Sequence, residues 1–322
     1  MLIHSHRHTP RDLAAWERLE AYDEAIAATG HLEPLIEHAM QVIAGFLQDG
    51  PCYVSTSWGK DSTVLVDLVA QTGADIPVVS VRVDGQEMDG TDDVRDAVLA
   101  KHPRLRYDEL TLPPFPNRSW AQEHEIVERT KADVDIGWKL TERRYGPRRI
   151  TGIRAEESRI RNMVMRRFGD ATRDTCRPIG RWEATDVFAY LHARDLPVHP
   201  AYGMSYGGAL DRRWLRVHSL GGVRNAGKGR ADWEQHYYGD IIRAARLREA
   251  VMPLLPEQRR DATTTEALSA SSGYPATEIE DILTATRGVV IRRMNYATRW
   301  YRTIEWPPRP TWSVSNPDRP LF

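Results

Sequence analysis

The sequence has few cysteines, no long apolar stretch and almost no net charge, and each shortage excludes a class of protein. Its 322 residues include two cysteines, Cys52 and Cys176. That is too few for a disulfide framework or a cysteine-only metal or iron–sulfur site. No apolar run approaches the roughly 18 residues of a membrane-spanning helix, and the opening MLIHSHRHTPRDL lacks the apolar core of a signal peptide. We therefore expect a cytoplasmic protein with no membrane partner.

The charge of the chain is balanced overall but not locally. Basic and acidic side chains number 44 and 45, so the net charge of −1 provides no overall attraction for a polyanion. Between Arg143 and Arg181, however, there are twelve arginines and only four acidic residues. A hydrophobic share of 41% and a charged share of 28% are ordinary for a globular protein.

Strand patterns alternate with helix patterns through the first half of the chain. Valine-rich or alternating segments predict four strands, and helical spacing of apolar residues predicts a helix after each of the first three. The predicted strands are CYVSTS, IPVVSVRV, LRYDELTL and RRITGI, and the predicted helices are STVLVDLVAQTG, TDDVRDAVLAKHP and RSWAQEHEIVERTK. Such alternation predicts an α/β fold, in which helices cover both faces of a parallel sheet.

The two ends of the chain have different patterns. We expect residues 1–48 to form a polar arm, over 1–33, and then one helix from Pro34 to Leu47. His4, His6 and His8 alternate in the arm, so metal binding is a less favoured alternative to a mobile polar segment. The α/β domain is predicted over residues 49–205. Residues 206–322 begin with basic, glycine-rich loops, continue as helices, including VVIRRMNYATRWYRTI, and end in a proline-rich surface tail.

The segment STSWGKDS lies between a predicted strand and a predicted helix and has the residues of an anion site. It is not a Walker loop, because Val54 stands where that motif needs glycine and Asp61 where it needs serine or threonine. Glycine at 59 permits a tight turn, and free amides at the start of the following helix attract phosphate. Lys60 adds a positive charge. The alternative is a plain turn capped by Asp61 or Ser62.

Two later segments accompany this loop. RRITGIRAEESRIRNM places Arg154 after a predicted strand, where its guanidinium can bind phosphate or sulfate with two hydrogen bonds. The alternative is a structural ion pair between Arg154 and Glu156 or Glu157. CRPIGRWEATDVFAYLHARDLPVHPAY has mostly the character of a folding element, since Trp182 and its apolar neighbours share one helical face.

Together these three segments resemble the PP-loop ATP pyrophosphatase superfamily. The similar branch contains phosphoadenosine phosphosulfate (PAPS) reductases, the small subunit of ATP sulfurylase and DNA phosphorothioation enzymes. The resemblance covers about Cys52 to Tyr202, in order. The matching positions beyond the loop are Gly152, Ile153, Arg154, Glu157, Ser158, Arg161, Pro178, Ile179, Trp182, Asp186, Val187, Phe188, Tyr190, Pro197, Pro200 and Tyr202.

The resemblance implies a Rossmann-like fold of the adenine nucleotide alpha hydrolase type and a site for ATP and Mg²⁺. It implies catalytic roles for Lys60, Arg154 and Arg161, and no metal held by protein ligands alone. Asp84, after the second predicted strand, would contact ribose or Mg²⁺, or else simply belong to a turn. The implied nucleotide-binding residues are Ser55, Ser57, Trp58, Gly59, Lys60, Asp61, Ser62, Asp84, Gly152 and Arg154.

The resemblance leaves the reaction open. Reductases of the branch attack the sulfonate with a late cysteine and tend to lose the Lys-Asp pair. Here no cysteine follows Cys176, and Lys60-Asp61 is present. We therefore expect cleavage of ATP between the α- and β-phosphates and adenylylation of an oxyanion. A PAPS reductase-type oxidoreductase is the alternative. Cys176 lies near arginines that would lower its pKa, so a persulfide role is a minor hypothesis beside an inert thiol.

The acceptor and the partners are likewise open. Sulfate would need a compact arginine pocket, and nucleic acid a basic surface. The basic loop with Arg224, Lys228 and Arg230, and the tail RRMNYATRWYRTIEWPPRPTW, have the composition of a nucleic-acid surface, although an amphipathic helix accounts for the tail equally well. A second class of function is an ATP-binding partner subunit of a larger complex without its own turnover. A homo-oligomer is also compatible with the sequence.

Overall fold

The computed structural model describes residues 1–113, 136–220, 229–286, 288–294, 297–306 and 308–315. Within them, a six-stranded sheet has the order β5-β4-β1-β2-β3-β9. Strands β1 to β5 are mutually parallel, and β9 pairs antiparallel with β3. The strands are β1 (Tyr53–Thr56), β2 (Pro77–Val83), β3 (Arg106–Leu112), β4 (Arg149–Ile150), β5 (Thr175–Cys176) and β9 (Thr311–Val314). The predicted parallel α/β sheet is therefore confirmed.

Ten α-helices lie in the described residues. Helix α3 illustrates the local causes: it begins directly after β1, presents valine and leucine to the core, and ends at Gly73 in the left-handed conformation. The helices are α1 (Pro10–Ala27), α2 (Leu32–Gln48), α3 (Lys60–Thr72), α4 (Thr91–Lys101), α5 (Ile136–Tyr145), α6 (Arg159–Phe168), α7 (Ala184–Ala193), α8 (Arg230–Val251), α9 (Thr265–Ser272) and α10 (Ala276–Ala285). The predicted helix RSWAQEHEIVERTK lies outside the described residues.

The expectation of a polar arm over residues 1–33 is wrong. Helix α1 begins with a capping box, in which the Thr9 hydroxyl accepts from the Asp12 amide and the Asp12 carboxylate accepts from the Thr9 amide. Trp16 of this helix is buried against Phe188 of α7. The polar composition hid the helix because few positions are apolar, although Asp12, Ala15, Trp16 and Asp23 are buried.

The C-terminal region is helical only in part. Helices α8, α9 and α10 match the helical expectation, but VVIRRMNYATRWYRTI is not a helix. Its described residues form the antiparallel pair β7 (Val289–Met294) and β8 (Ala297–Arg302), joined by β6 (Thr263–Thr264). Consecutive β-branched residues at the start of this segment favour a strand. Trp300 of β8 is fully buried, and its indole N–H donates to Thr265 (2.8 Å).

The proline-rich tail is also more than a surface segment. Its residues Thr311–Val314 form β9 at the edge of the main sheet, with Trp312 opposite Leu110 of β3. The region 206–322 therefore contributes a strand to the sheet of the α/β domain. The separate core of α8, α9, α10 and β8, which includes Leu247, Leu283 and Trp300, is smaller than the main core.

Candidate nucleotide site at the loop after the first strand

A polar crevice opens where β1 and β4 end at the same edge of the sheet. In open parallel sheets, ligands bind beyond the carboxyl ends of the strands. The floor of the crevice is the loop between β1 and α3, and its walls come from the segments after β4, from α5 and from residues 216–217. The lining residues are Ser55, Thr56, Ser57, Gly59, Asp61, Ser62, Trp138, Thr151, Gly152, Ile153, Glu157, Arg161, Tyr202, Arg216 and Val217.

The loop is held by its own hydroxyl groups and by one distant tyrosine. The Ser62 hydroxyl donates to the Gly59 carbonyl (3.0 Å) and accepts from the Ser57 amide (3.3 Å). The amide of Lys60 donates to the hydroxyl of Tyr202 (3.0 Å). A Cβ atom at position 59 would lie 2.9 Å from that hydroxyl, so the close approach requires glycine. Trp58 adopts a positive φ of 57°, a strained conformation for a bulky residue.

Four charged residues form a chain of ion pairs beneath the crevice. Lys60 Nζ lies 2.9 Å from Asp61 Oδ2, and Arg154 Nε lies 2.5 Å from Asp61 Oδ1. The same guanidinium, through Nη1, contacts Glu156 Oε2 at 2.5 Å. The side chains of Lys60 and Arg154 are each 1% exposed, so solvent screens these pairs little.

Burial and ion pairing shift the pKa values of these charged residues in opposite directions. Desolvation lowers the pKa of Lys60, but the neighbouring Asp61 carboxylate outweighs it and the net pKa is raised. Desolvation raises the pKa of Asp61, but the Lys60 and Arg154 cations outweigh it and the net pKa is lowered. Lys60 and Asp61 therefore stay ionised at neutral pH, and Asp61 pairs with both Lys60 and Arg154.

Gly152 brings the second motif against the loop. A Cβ atom there would lie 2.9 Å from the Asp61 backbone carbon, so any larger residue would push the end of β4 away from α3. This contact lets Arg154, two residues later, reach Asp61. The sequence predicted Gly152 and Arg154 at one site, and the structure brings them together there.

Arginine side chains lie at the mouth of the crevice. Arg161, in the first turn of α6, pairs with Glu157, and Arg216 Nη2 lies 3.4 Å from the other oxygen of that carboxylate. Arg161 and Arg216 are 33% and 43% exposed, so both remain accessible to an anion. Backbone turn, hydroxyl groups and two partly exposed guanidinium groups together suit a phosphate or sulfate group.

The predicted site residues divide into three groups. Those that line the crevice are Ser55, Ser57, Gly59, Asp61, Ser62, Gly152 and Arg161. Trp58, Lys60 and Arg154 are buried behind the lining. Arg154 is paired with Glu156, as in the structural alternative, and it also contacts the loop. Asp84 is absent from the crevice lining: Arg248 of α8 contacts its carboxylate (3.2 Å) and its carbonyl (2.6 Å). The structure thus favours the turn interpretation of Asp84.

Sequence reasoning missed several lining residues. Tyr202 belongs to a quoted motif, but nothing in its pattern indicated a hydrogen bond to Lys60. Arg216 and Trp138 come from segments with no recognised motif, and Arg149 stacks over the Trp138 ring at 3.9 Å. Their proximity to the loop depends on chain folding over long separations.

The thiols are inaccessible. Cys52 and Cys176 are both 0% exposed. Burial raises the pKa of Cys52 to about 11 and that of Cys176 to about 12. The expectation that nearby arginines lower the pKa of Cys176 is wrong, because desolvation outweighs the charge of Arg177. A buried, protonated thiol is a poor nucleophile, so the persulfide hypothesis loses its support.

Comparison with known proteins identifies the family. A model of the phosphoadenosine phosphosulfate reductase domain matches residues 51–228. The chain is 31% identical over 215 residues to a phosphoadenosine 5'-phosphosulfate reductase of Xanthomonas euvesicatoria pv. vesicatoria, covering 60% of this chain and 85% of that protein. A reductase of Xanthomonas campestris pv. campestris is 30% identical over 213 residues, covering 60% and 84%. The chain therefore belongs to the phosphoadenosine phosphosulfate reductase domain family.

Two solved structures are similar at lower identity. A PAPS reductase from Candida auris, in complex with phosphate, has a TM-score of 0.35 at 14% identity, covering 60% of this chain and 95% of that one. A U34-tRNA thiolase from Methanococcus maripaludis has the same TM-score and identity, covering 66% and 79%.

Among the described residues, no helix is both long and apolar enough to span a bilayer.

Proposed function

We propose that this chain binds ATP in the crevice and cleaves it between the α- and β-phosphates, transferring the adenylyl group to an oxyanion. The observation that carries the proposal is the intact chain of ion pairs from Lys60 through Asp61 to Arg154 under the loop. The 5′-triphosphate of ATP carries more negative charge than the 5′-phosphosulfate group of a phosphosulfate nucleotide. Lys60, Arg154, Arg161 and Arg216 supply the cations to balance it.

Under this proposal the residues have distinct tasks. Ser57 donates its hydroxyl hydrogen bond to a phosphate oxygen, while the Ser62 hydroxyl holds the loop by donating to the Gly59 carbonyl. Lys60 and Arg154 act mainly as fixed charges, because their side chains are buried and already oriented by Asp61. Arg161 and Arg216 stabilise charge that develops on the leaving pyrophosphate or on the acceptor. Such preorganised charges need no rearrangement during the reaction.

Mg²⁺ is part of the proposal as a ligand of the nucleotide. The described residues hold no group of three or more histidine, cysteine or carboxylate side chains that would bind a metal alone. Mg²⁺ in nucleotide sites is commonly bound by one or two carboxylates together with phosphate oxygens. Asp61 and Glu157 are the carboxylates of the crevice lining, and either would exchange one of its paired cations for the metal. When bound, the metal would neutralise phosphate charge.

Reduction of a phosphosulfate nucleotide is the second candidate, and the family comparison favours it over ATP cleavage. The curated relatives, at 31% and 30% identity, are named as reductases. The burial of Cys52 and Cys176 opposes it, since neither thiol of this chain can reach a nucleotide in the crevice without unfolding around it. A reductase would therefore need a thiol from another molecule.

One pair of assays separates the two candidates. Purified protein with Mg²⁺ and ATP labelled at the α-phosphate is expected to release pyrophosphate and labelled AMP or an adenylylated product. The same protein with PAPS and dithiothreitol is expected to release no sulfite. Sulfite release without ATP cleavage would replace the first proposal with the second.

The same assay identifies the acceptor of the adenylyl group. Pyrophosphate release that requires sulfate would identify a sulfurylase-like reaction, and release that requires DNA or RNA would identify nucleic-acid modification. Failure to release pyrophosphate with every acceptor, despite ATP binding measured by calorimetry, would leave the chain as an ATP-binding partner subunit. Absence of ATP binding would refute the proposal altogether.

A further inference from the structure

Helix α6 (Arg159–Phe168) is an exposed helix with an unusual composition. Its ten residues, RIRNMVMRRF, include four arginines and no acidic residue. Met165 is its one buried residue, and it packs against Gly180. Ile160, Met163 and Phe168 are 75%, 63% and 53% exposed, three of the larger apolar exposures on the described surface. Grouped exposed apolar side chains commonly indicate a binding surface.

The exposed apolar and basic side chains occupy defined faces of α6. Ile160, Met163 and Arg167 follow i, i+3, i+7 spacing, so they share the outward face, and Arg159 and Arg166 lie together along its flank. Arg159, Arg166 and Arg167 are exposed, and none of them forms an ion pair with another described residue. Arg167 lies over the Phe168 ring at 5.3 Å. The outer surface of α6 is thus a small apolar centre surrounded by arginines that no acidic side chain of the described ranges pairs with.

This surface adjoins the crevice without being part of it. Arg161, in the first turn of the helix, lines the crevice, and Glu157 just before the helix links it to Arg216. Arg159, Ile160, Met163, Arg166 and Arg167 do not line it. A molecule bound on the outer face of α6 would therefore lie beside the mouth of the crevice.

We propose that the outer face of α6 binds a partner protein whose contact surface has an apolar centre and an acidic rim. Arginine, methionine and aromatic residues are enriched in protein interfaces, where apolar contacts lie at the centre and charges at the edge. Carboxylates on the partner would pair with Arg159, Arg166 and Arg167, and aliphatic side chains would cover Ile160 and Met163. Charge complementarity of this kind mainly governs the association rate and the choice of partner.

Other occupants explain less of this surface. Single-stranded nucleic acid would pair with the arginines, but its bases stack on aromatic rings, so it would leave Ile160 and Met163 uncovered. A second copy of this chain, related by a two-fold axis through α6, would place arginine against arginine, and like charges across an interface are costly. The partner protein accounts for both the charge and the apolar centre.

The test uses the full chain and a defined peptide. The peptide is a fluorescein-labelled amphipathic helix of about 20 residues, with leucines on one face and glutamates flanking them. Binding is followed by fluorescence anisotropy, and the result expected is saturable binding that weakens with salt. The double variants Ile160→Ser/Met163→Ser and Arg166→Glu/Arg167→Glu should each lower the affinity at least about tenfold. Arg259→Glu/Arg260→Glu, which reverses two exposed arginines elsewhere, should leave it unchanged.

Three results would overturn the proposal. One is absence of binding to the peptide, or equal binding to a scrambled peptide of the same composition. Another is a labelled oligothymidylate, or vesicles of phosphatidylglycerol and phosphatidylcholine, binding more tightly than the peptide with the same dependence on the arginines. The third is a wild-type dimer that the Ile160→Ser/Met163→Ser variant dissociates. Circular dichroism of each variant shows whether it is folded.

Discussion

One arginine and a set of three later arginines lie in the same basic stretch of sequence but have opposite environments. Arg154 is almost fully buried, is paired with Asp61 and Glu156, and fixes the loop after β1. Arg159, Arg166 and Arg167, a few residues later, are exposed and pair with no other described residue. Arg154 belongs to the internal framework of the candidate site, and the exposed set of three arginines forms a surface beside it. A basic stretch of sequence therefore does not show which of its arginines are buried in ion pairs and which are exposed on the surface.

A substitution of the buried Arg154 gives the sharpest test of this difference in environment. Arg154→Ala would leave the partly buried carboxylates of Asp61 and Glu156 without the buried cation that they share. We expect a loss of about 3–5 kcal/mol in the free energy of unfolding, the usual cost of breaking a buried ion pair from one side. Urea unfolding measures it. A loss of less than about 1 kcal/mol, as for an exposed pair, would contradict the buried framework.

A substitution of Lys60 tests the catalytic role of this residue separately from the stability of the fold. Lys60→Ala is expected to reduce ATP-dependent pyrophosphate release by about 100- to 1,000-fold, the scale observed on removing one preorganised charge or donor. Asp61 keeps its pairing with Arg154 in this variant, so the fold should remain. Pyrophosphate release and circular dichroism are measured on the same preparation. An active variant, or an unfolded one, would show that Lys60 does not have the assigned role.

His199 is a buried side chain that is neutral, in contrast to the buried and charged Arg154. Burial lowers its pKa from the ordinary 6.5 to about 3. Its Nδ1 accepts from the Ala201 amide, and Nε2 lies 3.1 Å from the Thr91 hydroxyl. Below pH 6.5 the unfolded chain binds a proton that the folded chain does not, so stability falls as the pH decreases towards 3.

Replacing this histidine should therefore flatten the pH dependence. We expect the loss in Tm on going from about pH 7 to about pH 5 to be smaller in His199→Gln than in the wild type. The exposed His6 provides a control, because His6→Gln changes no buried group. Equal losses in all three proteins would mean that His199 takes up a proton without unfolding.

The exposed set should give the smallest effect on stability. Arg166→Ala/Arg167→Ala removes two side chains that pair with no other described residue, so the free energy of unfolding should change by no more than about 0.5 kcal/mol per site. Urea unfolding beside Arg154→Ala gives the direct contrast. A loss comparable to that of Arg154→Ala would remove the distinction between Arg154 and the exposed set.

Local patterns were sufficient where one segment carries its own signal. Valine-rich strands, the glycine at the end of α3 and the order of the three motifs all agree with the structure. They failed where stability comes from distant contacts: α1 is held by Trp16 against Phe188, and β7 and β8 by the buried Trp300. Arginine and aromatic residues in the latter segment fit an amphipathic helix and a hairpin alike, so the burial of Trp300 decided between them.

The sequence by itself determined the class of fold, the loop from Ser57 to Ser62 and its association with Gly152, Arg154 and Arg161. Within each segment the residue types stand at fixed short spacings, which a linear chain displays directly, and the segments meet because parallel strands end at one edge of the sheet. Only the tertiary structure decided that both thiols are buried, that Asp84 pairs with Arg248, that Tyr202 and Arg216 reach the crevice, and which arginines are exposed without an ion pair to another described residue. Burial and pairing are properties of packed neighbours, and most of those neighbours lie far away in the sequence.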